Sequence, residues 1–437
     1  MIKHLSINSV PSLMIILFIF VLCCNPVYAF SGDGNGTSEN PFQITTIEQL
    51  DEIRNNLSAS YILMNDLDFS DSDVWEPIGS FQEEKNFFSG QLNGNGKIIQ
   101  NLSISSSKSQ SSGLFGYIDQ GGEVKNLGLV NPSFSGDSGV GSLVGRNYGS
   151  IQNCSAVHVK GNSNNDLGGL VGCNFGSIAG CFATGELFGE NTIGGLVGAN
   201  YGFINCSYAA CSIEGKGYEA GGFVGNNFQG KIQNCYSNSA VIGESVVGGF
   251  AGQNYEGFIE GCYATGTVFA WQDYAGGMAG KNRGVLKDSW VLTKSVNVGS
   301  TYFESGNKKS IGRVAGINEY FYNTGSIYWA NPWDGMTTNT KFRKEDPKTE
   351  YSTTVRSEDI WGNPDNWGNF GSYFWALKDF ENYQLPVFDW QTESPGDASY
   401  LNPENSAEKS KSIPGFELIF GILALAGVAF VYRKMKW

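Results

Sequence analysis

A short glycine-rich segment recurs along the middle of this chain of 437 residues, and no other feature constrains the fold as much. The segment reads Gly-Gly, an apolar residue, Val or Ala, and Gly, and its clearest copies begin at Gly168, Gly194, Gly221, Gly248 and Gly276. Imperfect copies at 112–116, 141–145 and 311–316 extend the series at both ends. From Leu114 to Met278, measured at the apolar residue after the Gly pair, the steps are 29, 27, 26, 27, 27 and 28 residues. Such a period indicates a repeat architecture.

Other positions repeat in step with the glycines. Two residues after the last Gly stands an Asn column, made of Asn147, Asn174, Asn200, Asn227, Asn254 and Asn282. An aromatic column follows directly, made of Tyr148, Phe175, Tyr201, Phe228 and Tyr255. A Cys column closes the motif shortly after an Ile, with Cys154, Cys181, Cys206, Cys235 and Cys262.

The repeat unit predicts strands rather than helices. A period of 26–29 residues is too short for two antiparallel helices with their loops, and the unit lacks the apolar spacing of a helix. Its short apolar runs, broken by Gly and Asn, predict short strands and tight turns. In a parallel β-helix each strand pairs with its equivalent one coil on, at about 4.8 Å. We therefore expect an all-β fold, a right-handed parallel β-helix with two caps, whose Gly residues supply positive φ at the corners.

Stacking would turn each column into a ladder. The Asn column predicts a ladder of side-chain amides at a bend, rather than a ligand site. Without Cys23 and Cys24 of a leader, seven of the nine Cys remain. For the Cys column we favour small, reduced, inward side chains over disulfides or zinc, since no Cys-x-x-Cys pair exists. The aromatic column either packs internally, which we favour, or is exposed and stacks on sugar rings.

The repeat, of the form GG[LFM][VA]GxN[YF]G followed by Ile and Cys, resembles the GLUG motif of microbial surface proteins. The clear resemblance covers about residues 112–290, and such repeats also accompany some immunoglobulin-A-cleaving peptidases and filamentous adhesins. Segments 65–69, 75–79 and 90–96 resemble the lead-in of such β-helices, and 319–390, with six of the ten Trp residues, resembles the irregular tail that closes them. Residues 46–57 predict a helix capped by Thr46 that covers the first coil.

The sequence predicts a targeting signal at each end of the chain. A basic start, a 12-residue apolar core from Leu13 to Cys24 and small residues before the cut predict a signal peptide cleaved between Ala29 and Phe30. At the other end, Pro414, Gly415 and Phe416 precede an apolar run and a basic tail, and this order resembles the archaeal PGF-CTERM sorting signal. That resemblance implies an archaeosortase-like processing enzyme as partner and a lipid that replaces the tail. The alternative is an ordinary membrane-spanning anchor.

Charge and histidine content exclude several function classes. The net charge is −14, so nucleic acid is not expected as a partner, because phosphate binding needs basic patches. Only His4 and His158 are present, which excludes a metal site built from several His residues. His158 lies outside any catalytic motif, and we expect no catalytic residue and no resident cofactor.

Acidic residues offer weak metal candidates. Asp66, Asp68, Asp71 and Asp73 form one run that either gathers calcium or lies as a solvated strand edge. A second set precedes the Gly pairs, made of Asp137, Asp166, Glu190, Glu219, Glu244 and Asp273. Stacked coils would align these acids at about 5 Å per step, where calcium or magnesium would bridge them, or where the charges keep the edge soluble.

Five Asn-x-Ser/Thr sequons mark possible glycosylation sites, at Asn35, Asn56, Asn101, Asn153 and Asn205. The first three are the stronger candidates, because Asn153 and Asn205 precede Cys residues of the packed column.

The predicted organisation is a signal peptide (1–29), an N-terminal cap with the first coils (30–111), the repeat array (112–318), a Trp-rich cap (319–390), a polar linker (391–413) and the sorting segment (414–437). Two functions fit it. The first is a non-catalytic, membrane-anchored protein on the cell surface that adheres to envelope components or glycans. The second is a secreted polysaccharide lyase or hydrolase on the same scaffold. We favour the first, because the basic residues of the array are scattered and do not form a catalytic cluster.

Overall fold

The computed structural model describes residues 30–79, 86–105 and 111–299, except 288, 292 and 294, and then 310–312, 314–318, 327–329, 374–380 and 383–388. Over this part of the chain the fold is a parallel β-solenoid, as predicted. Like positions stack on like positions from coil to coil: Val144 pairs with Val171, Val171 with Val197, and Val197 with Val224. The sequence period is therefore the length of one coil.

Each coil has three walls. The first wall is an eight-stranded parallel sheet built from the residues that follow the Gly pair. Its strands are Phe115–Ile118, Val144–Asn147, Val171–Asn174, Val197–Asn200, Val224–Phe228, Ala251–Tyr255, Ala279–Asn282 and Ala315–Asn318. The last of these confirms that the imperfect copy at 311–316 is a coil.

The second wall follows after a tight turn and has short strands. They are Ser150–Gln152, Ser177–Ala179, Phe203–Asn205, Lys231–Gln233, Phe258–Glu260 and Val285–Lys287. The start of Glu123–Val130 extends this wall by one coil, because Glu123 pairs with Ser150.

The third wall is the longest. In the early coils its strands are Gln91–Gln100, Ser103–Ser105, Glu123–Val130, Ser133–Gly141, Ser155–Gly168 and Phe182–Gly194. Later coils divide it into Tyr208–Gly215, Glu219–Gly221, Tyr236–Ser237, Ala240–Gly243, Val246–Gly248, Tyr263–Ala264, Thr267–Ala270, Tyr274–Gly276, Ser289–Val291, Ser295–Val298, Ser310–Gly312 and Ile327–Trp329.

The interior is filled by ladders of identical or similar apolar side chains. Leu143, Leu170 and Leu196 are followed by Phe223 and Phe250, all fully buried at the corner after the Gly pair. A second ladder on the short wall runs Ile151, Ile178, Ile204, Ile232 and Ile259, also fully buried. Since every coil places an apolar side chain above that of its neighbour, burial continues through the array without a break.

The N-terminal cap contains the predicted helix in a shorter form. An α-helix spans Ile47–Asp51 and continues as a 3-10 helix over Glu52–Asn55. The Thr46 side chain caps it by accepting a hydrogen bond from the backbone N–H of Gln49, and Leu50 and Ile53 are buried beneath it. Strands Phe42–Ile44, Ser60–Leu63 and Leu67–Asp68 complete the cap, and the second and third pair with Gln91–Gln100.

The expectation that the Gly pairs supply positive φ is wrong. Gly194 and Gly195 do not have a left-handed backbone; they are needed because the coils approach closely. A Cβ on Gly195 would lie 2.2 Å from the backbone oxygen of Gly222, a distance that no side chain tolerates. The left-handed corner lies elsewhere, between the second and third walls. It is occupied by Asn126, Asn153, Gly180, Cys206, Asn234 and Gly261.

Beyond the array, strands Phe374–Phe380 and Tyr383–Phe388 form an antiparallel hairpin within the predicted Trp-rich cap. The cleavage residue Ala29 and the sorting motif Pro414, Gly415 and Phe416 lie outside the described residues, as do the polar linker and the apolar tail. In the part of the chain that the structure describes, no helix is both long and apolar enough to cross a membrane.

Candidate functional site

The Asn column forms a continuous chain of buried amides. Each Nδ2 donates to the Oδ1 of the next coil, at 2.8 Å from Asn147 to Asn174 and again from Asn174 to Asn200. The same bonds continue at 2.8–2.9 Å through Asn227 and Asn254 to Asn282. The amides also satisfy the following turn; for example, the backbone N–H of Gly149 donates to Asn147 Oδ1. The ladder therefore fixes the turn between the first and second walls in the same shape in every coil.

That turn holds the aromatic column outward, so the favoured expectation of internal packing is wrong. The rings stand on the surface, half-buried, and Tyr201 is 43% exposed. Tyr148 stacks on Phe175 and Phe175 on Tyr201, each pair with 4.6 Å between ring centroids and 6° between planes. Phe228 and Tyr255 continue the stack. Because the rings cover much of one another's faces, they present mainly their edges to solvent.

A groove runs beside these rings, along the solenoid axis and across several coils. It is shallow and open to solvent, has a volume of about 730 Å³, and begins between Gln91 and the turn at Gln120 and Gly121. We call it the Tyr148–Phe203 groove. Its ring-bearing side is formed by Tyr148 and Phe175, and Phe203 closes its far end. Its polar side chains are Gln91, Gln120, Glu123, Ser150, Gln152 and Ser177.

The groove follows from the repeat, because four of its six polar side chains occupy one stacked position. Gln91 pairs with Glu123, Glu123 with Ser150, Ser150 with Ser177, and Ser177 with Phe203. The glycines of the turn keep the backbone free of side chains there: a Cβ on Gly176 would lie 2.1 Å from the oxygen of Gly149. The result is a series of amide and hydroxyl groups beside a ridge of aromatic edges.

The groove carries little net charge. Among the described residues that line it, the one carboxylate, Glu123, is paired with the ammonium of Lys125 at 2.7 Å. Past its far end, the ammonium of Lys231 lies 5.9 Å from the ring centre of Phe203 and 5.8 Å from that of Phe258. This placement satisfies the cation with aromatic rings.

Hydrogen bonds within the protein hold two members of the Asp66–Asp73 run. Asp68 Oδ1 accepts hydrogen bonds from Ser70 and Asn101, and Oδ2 accepts one from Gln100. These bonds, led by that of Ser70, hold the pKa of Asp68 well below its usual range. Asp66 accepts from the backbone N–H of Ile98, while Asp71 and Asp73 are exposed. Within the described residues no three His, Cys, Asp or Glu side chains gather closely enough to hold a metal ion.

The acids before the Gly pairs do not stack, contrary to the expected stripe. Asp137 accepts a hydrogen bond from Asn164 of the next coil at 2.9 Å, so an amide separates it from Glu190. Glu219 pairs with Val246, and Glu244 accepts from Gln272. Uncharged residues between the acids relieve the repulsion that bridging cations were expected to offset.

Two of these acids are nonetheless half-buried over the first wall. Burial raises the pKa of Glu219, although Asn226 and Thr192 donate hydrogen bonds to its carboxylate. Burial likewise raises the pKa of Asp166, against a hydrogen bond from Ser138 and the nearby charge of Arg146.

One member of the predicted Cys column, Cys206, does not occupy the position of the others. Cys154, Cys181, Cys235 and Cys262 point inward and are buried, but Cys206 stands one residue away, at the left-handed corner. Ser207 takes the inward place and accepts a hydrogen bond from the N–H of Cys181 at 3.1 Å. The seven described Cys residues are free thiols, and burial raises the pKa of Cys211 to about 12. Such thiols are poor nucleophiles at neutral pH.

The sequence pattern did not predict several exposed aromatic rings. Phe203 lies in the groove, while Phe188, Tyr218 and Trp271 are exposed along the third wall, 39%, 70% and 46% respectively. None of these residues repeats with the period, so no column marked them. Alternation within a three-residue strand, with Ile204 inward, is the only signal that would have placed Phe203 outward.

Two known sequence motifs and two known proteins match parts of this chain. The GLUG motif matches residues 163–187, 216–242 and 243–268, and the PGF-CTERM motif matches residues 413–434. Halomucin of Haloquadratum walsbyi is 36% identical over 129 residues, which are 27% of this chain and 1% of halomucin. A protein of Evansella cellulosilytica named as a Gly-rich membrane protein is 39% identical over 132 residues, 28% of this chain and 15% of that protein. The chain thus spans a small part of both relatives.

Two solved structures also resemble the chain. One, named as an immunoglobulin A1 protease from Bacteroides ovatus, has a TM-score of 0.40 and 22% identity, and covers 82% of this chain and 94% of its own. A second, named IgA1 protease, has a TM-score of 0.36 and 16% identity, and covers 71% of this chain and 23% of its own. At these TM-scores neither likeness bears on activity.

The PGF-CTERM motif is a sorting signal that an archaeosortase processes, and it follows the repeat array in the chain. The chain therefore carries GLUG-motif repeats on a parallel β-solenoid and is anchored at the cell surface.

Proposed function

We propose that this surface protein is non-catalytic and binds a neutral polysaccharide in the Tyr148–Phe203 groove, as an adhesive or envelope-associated protein. The observation that carries the proposal is the lining of the groove. Aromatic edges on one side and amide and hydroxyl groups along the other match a sugar ring, which has apolar C–H faces and a polar rim.

The direction of the groove favours a polymer. Equivalent positions recur at one strand spacing, about 4.8 Å, and an extended polysaccharide advances by a similar distance per sugar. Gln91, Glu123, Ser150 and Ser177 thus offer one polar contact per coil. A chain lying along the axis would meet the same kind of contact at each sugar.

The charge distribution favours a neutral ligand. Glu123 is paired with Lys125, and the whole chain carries −14, which repels a polyanion at long range.

The same lining supports a binding role rather than hydrolysis. Hydrolysis of a glycosidic bond generally uses two carboxyl groups on either side of it. Among the described residues that line the groove, Glu123 is the only carboxylate.

We also propose that both ends of the chain are removed by processing enzymes. A signal peptidase cuts after Ala29, and Phe30, which then begins the mature chain, stacks on Phe42 at 4.6 Å between ring centroids. The archaeosortase-like enzyme removes the tail after recognising Pro414, Gly415 and Phe416, and a lipid holds the protein on the outer face of the membrane.

A binding assay on the full chain tests the ligand. Retention on insoluble neutral polysaccharides and a glycan array should identify a ligand, and Phe175→Ala should weaken its binding about threefold to tenfold, the loss of one aromatic contact. Tyr218→Ala removes an exposed ring outside the groove and should leave affinity unchanged. Equal losses for both variants, binding to acidic polymers alone, or release of shortened products would each contradict the proposal.

A further inference from the structure

The five sequons fall into two structural classes, and only one class leaves both Nδ2 of the Asn and the hydroxyl of the sequon accessible. In the turn at Asn35, the side-chain oxygen Oδ1 accepts hydrogen bonds from both the backbone N–H of Thr37, at 3.1 Å, and its hydroxyl, at 2.9 Å. Asn35 and Thr37 are both exposed. The Asn and the hydroxyl residue of the sequon are thus held together on the surface.

The same arrangement recurs at Asn56, directly after the 3-10 helix. Its Oδ1 accepts from the backbone N–H of Ser58 at 3.4 Å and from its hydroxyl at 3.0 Å. Both residues are exposed. In the described part of the chain, no protein group accepts a hydrogen bond from Nδ2 of Asn35 or Asn56, so the atom that would carry a sugar faces solvent.

Asn101 differs, although the sequence placed it with the first two. Its Nδ2 donates to Asp68 Oδ1 and to Ser70 Oγ, both at 2.8 Å. Its Oδ1 accepts from Asn131 of the next coil at 3.3 Å. A sugar on Nδ2 would replace one of the two N–H groups that make these bonds, and it would push the two coils apart.

The remaining two sequons are closed by the solenoid itself. Asn153 donates from Nδ2 to Asn126 at 3.3 Å, and Ser155, two residues on, is buried. Asn205 accepts from Asn234 at 3.1 Å, and the hydroxyl of Ser207 is fully buried and donates to the backbone oxygen of Asn205. In both, the hydroxyl that defines the sequon cannot reach an enzyme.

We propose that Asn35 and Asn56 are N-glycosylated on the cell surface, and that Asn101, Asn153 and Asn205 are not. The donor is an oligosaccharide linked through phosphate to a membrane lipid, and a membrane transferase supplies the base. The bond from the sugar C1 to the phosphate oxygen breaks, a bond from C1 to Nδ2 forms, and one Nδ2 proton passes to the base. The lipid phosphate leaves with the electron pair of the broken bond.

The two sites lie close together on the N-terminal cap, since the backbone N–H of Ser60 donates to the oxygen of Gly36 at 2.8 Å. The cap strand Phe42–Ile44 pairs with Ser60–Leu63 and, among described strands, with no other. On the other side of this strand the backbone N–H of Gln43 donates to the oxygen of Asp33, so the segment before Asn35 covers the edge. Oligosaccharides beside it would strengthen this block against pairing with another molecule.

Glycopeptide mass spectrometry of the full chain from its native membranes tests the proposal. We expect an oligosaccharide on the peptides of Asn35 and Asn56, and unmodified peptides for the other three sequons. Thr37→Ala and Ser58→Ala should each remove one glycan from the intact mass while keeping the Asn. Ser58→Thr keeps the hydroxyl and should keep the glycan.

Asn101→Gln is the matched control, because it removes a sequon that the proposal leaves unmodified, so the glycan mass should not change. A glycan on Asn101, Asn153 or Asn205, or a mature protein with unmodified Asn35 and Asn56, would overturn the assignment. A Ser58→Ala variant that keeps its glycan would show that the sequon hydroxyl plays no part.

Discussion

Cys206 occupies a backbone position that adjacent coils fill with Asn or Gly. Its φ is +49°, and the equivalent residues are Asn153, Gly180, Asn234 and Gly261. A left-handed conformation costs an ordinary side chain roughly 1–2 kcal/mol, and Asn or Gly much less. The thiol is half-buried and makes no ladder contact, while burial raises its pKa to about 11.

Replacing Cys206 by Asn should therefore stabilise the protein by about 1 kcal/mol. Urea unfolding followed by circular dichroism, under reducing conditions, measures the change. Cys235→Asn is the control, because it places an amide at a fully buried inward position and should destabilise. If Cys206→Asn also lowered the unfolding midpoint, the left-handed corner would not be the constraint at this position.

The raised pKa of Glu219 predicts that the stability of the protein depends on pH. Because burial raises its pKa in the folded chain, the charged form lowers stability above that pKa, and this cost disappears as the pH falls through it. Glu219→Gln should raise the melting temperature at pH 7–8 and have little effect near pH 4. The exposed Glu190→Gln serves as control. Equal shifts at both pH values would show that charge is not the cause.

At the scale of elements, the amide ladder is the contact that every coil shares. Asn200 accepts from Asn174 and donates to Asn227, each at 2.8 Å and away from water. Asn200→Ala leaves a donor and an acceptor buried without partners, which should cost roughly 2–4 kcal/mol. Asn164→Ala, an exposed amide bonded to Asp137, should cost far less. Thermal unfolding compares the two, and similar losses would contradict the ladder's importance.

The Gly pair and the Cys column should respond very differently to added volume. Gly195→Ala places a Cβ 2.2 Å from a backbone oxygen of the next coil, which only a backbone shift relieves, so we expect a cost of at least about 3 kcal/mol. Cys181→Leu adds apolar volume inside the solenoid and should cost under about 2 kcal/mol. The melting temperatures of the two variants measure the difference. A milder effect for Gly195→Ala than for Cys181→Leu would mean that neighbouring coils can move apart.

The period predicted the walls and their register well, because stacking identical side chains leaves few alternatives. The prediction that Cys206 points inward was wrong, because aligning the repeats by residue type hides a shift of one residue. The steps between Cys residues, 27, 25, 29 and 27, carried the signal, since replacing Cys206 by Ser207 gives 26 and 28. The direction of Tyr148 and Phe175 was not predictable, since the tight turn interrupts strand alternation, and the Tyr148–Phe203 groove depends on that direction.

At the scale of the whole molecule, the sorting motif predicts a shortened mature chain. We expect protein from native membranes to lack the end from about Phe416, since the PGF-CTERM motif covers residues 413–434. Intact mass spectrometry checks this, and replacing Pro414, Gly415 and Phe416 by Ala should preserve the tail. An unprocessed Lys434–Trp437 end in the wild-type protein would instead indicate a retained anchor.

The hydrogen-bonded column of Asn side chains has a consequence for how such proteins change their reach. Every interior coil presents to its successor the same amide, an apolar corner residue and the same backbone that it meets in its predecessor. Packing in the middle therefore sets no limit on the number of coils, and only the two caps are unique. Duplication of one unit of about 27 residues would lengthen the protein by one strand spacing, about 4.8 Å, with no new interior to design. Length in such a lineage can vary by copying, while the fold stays the same.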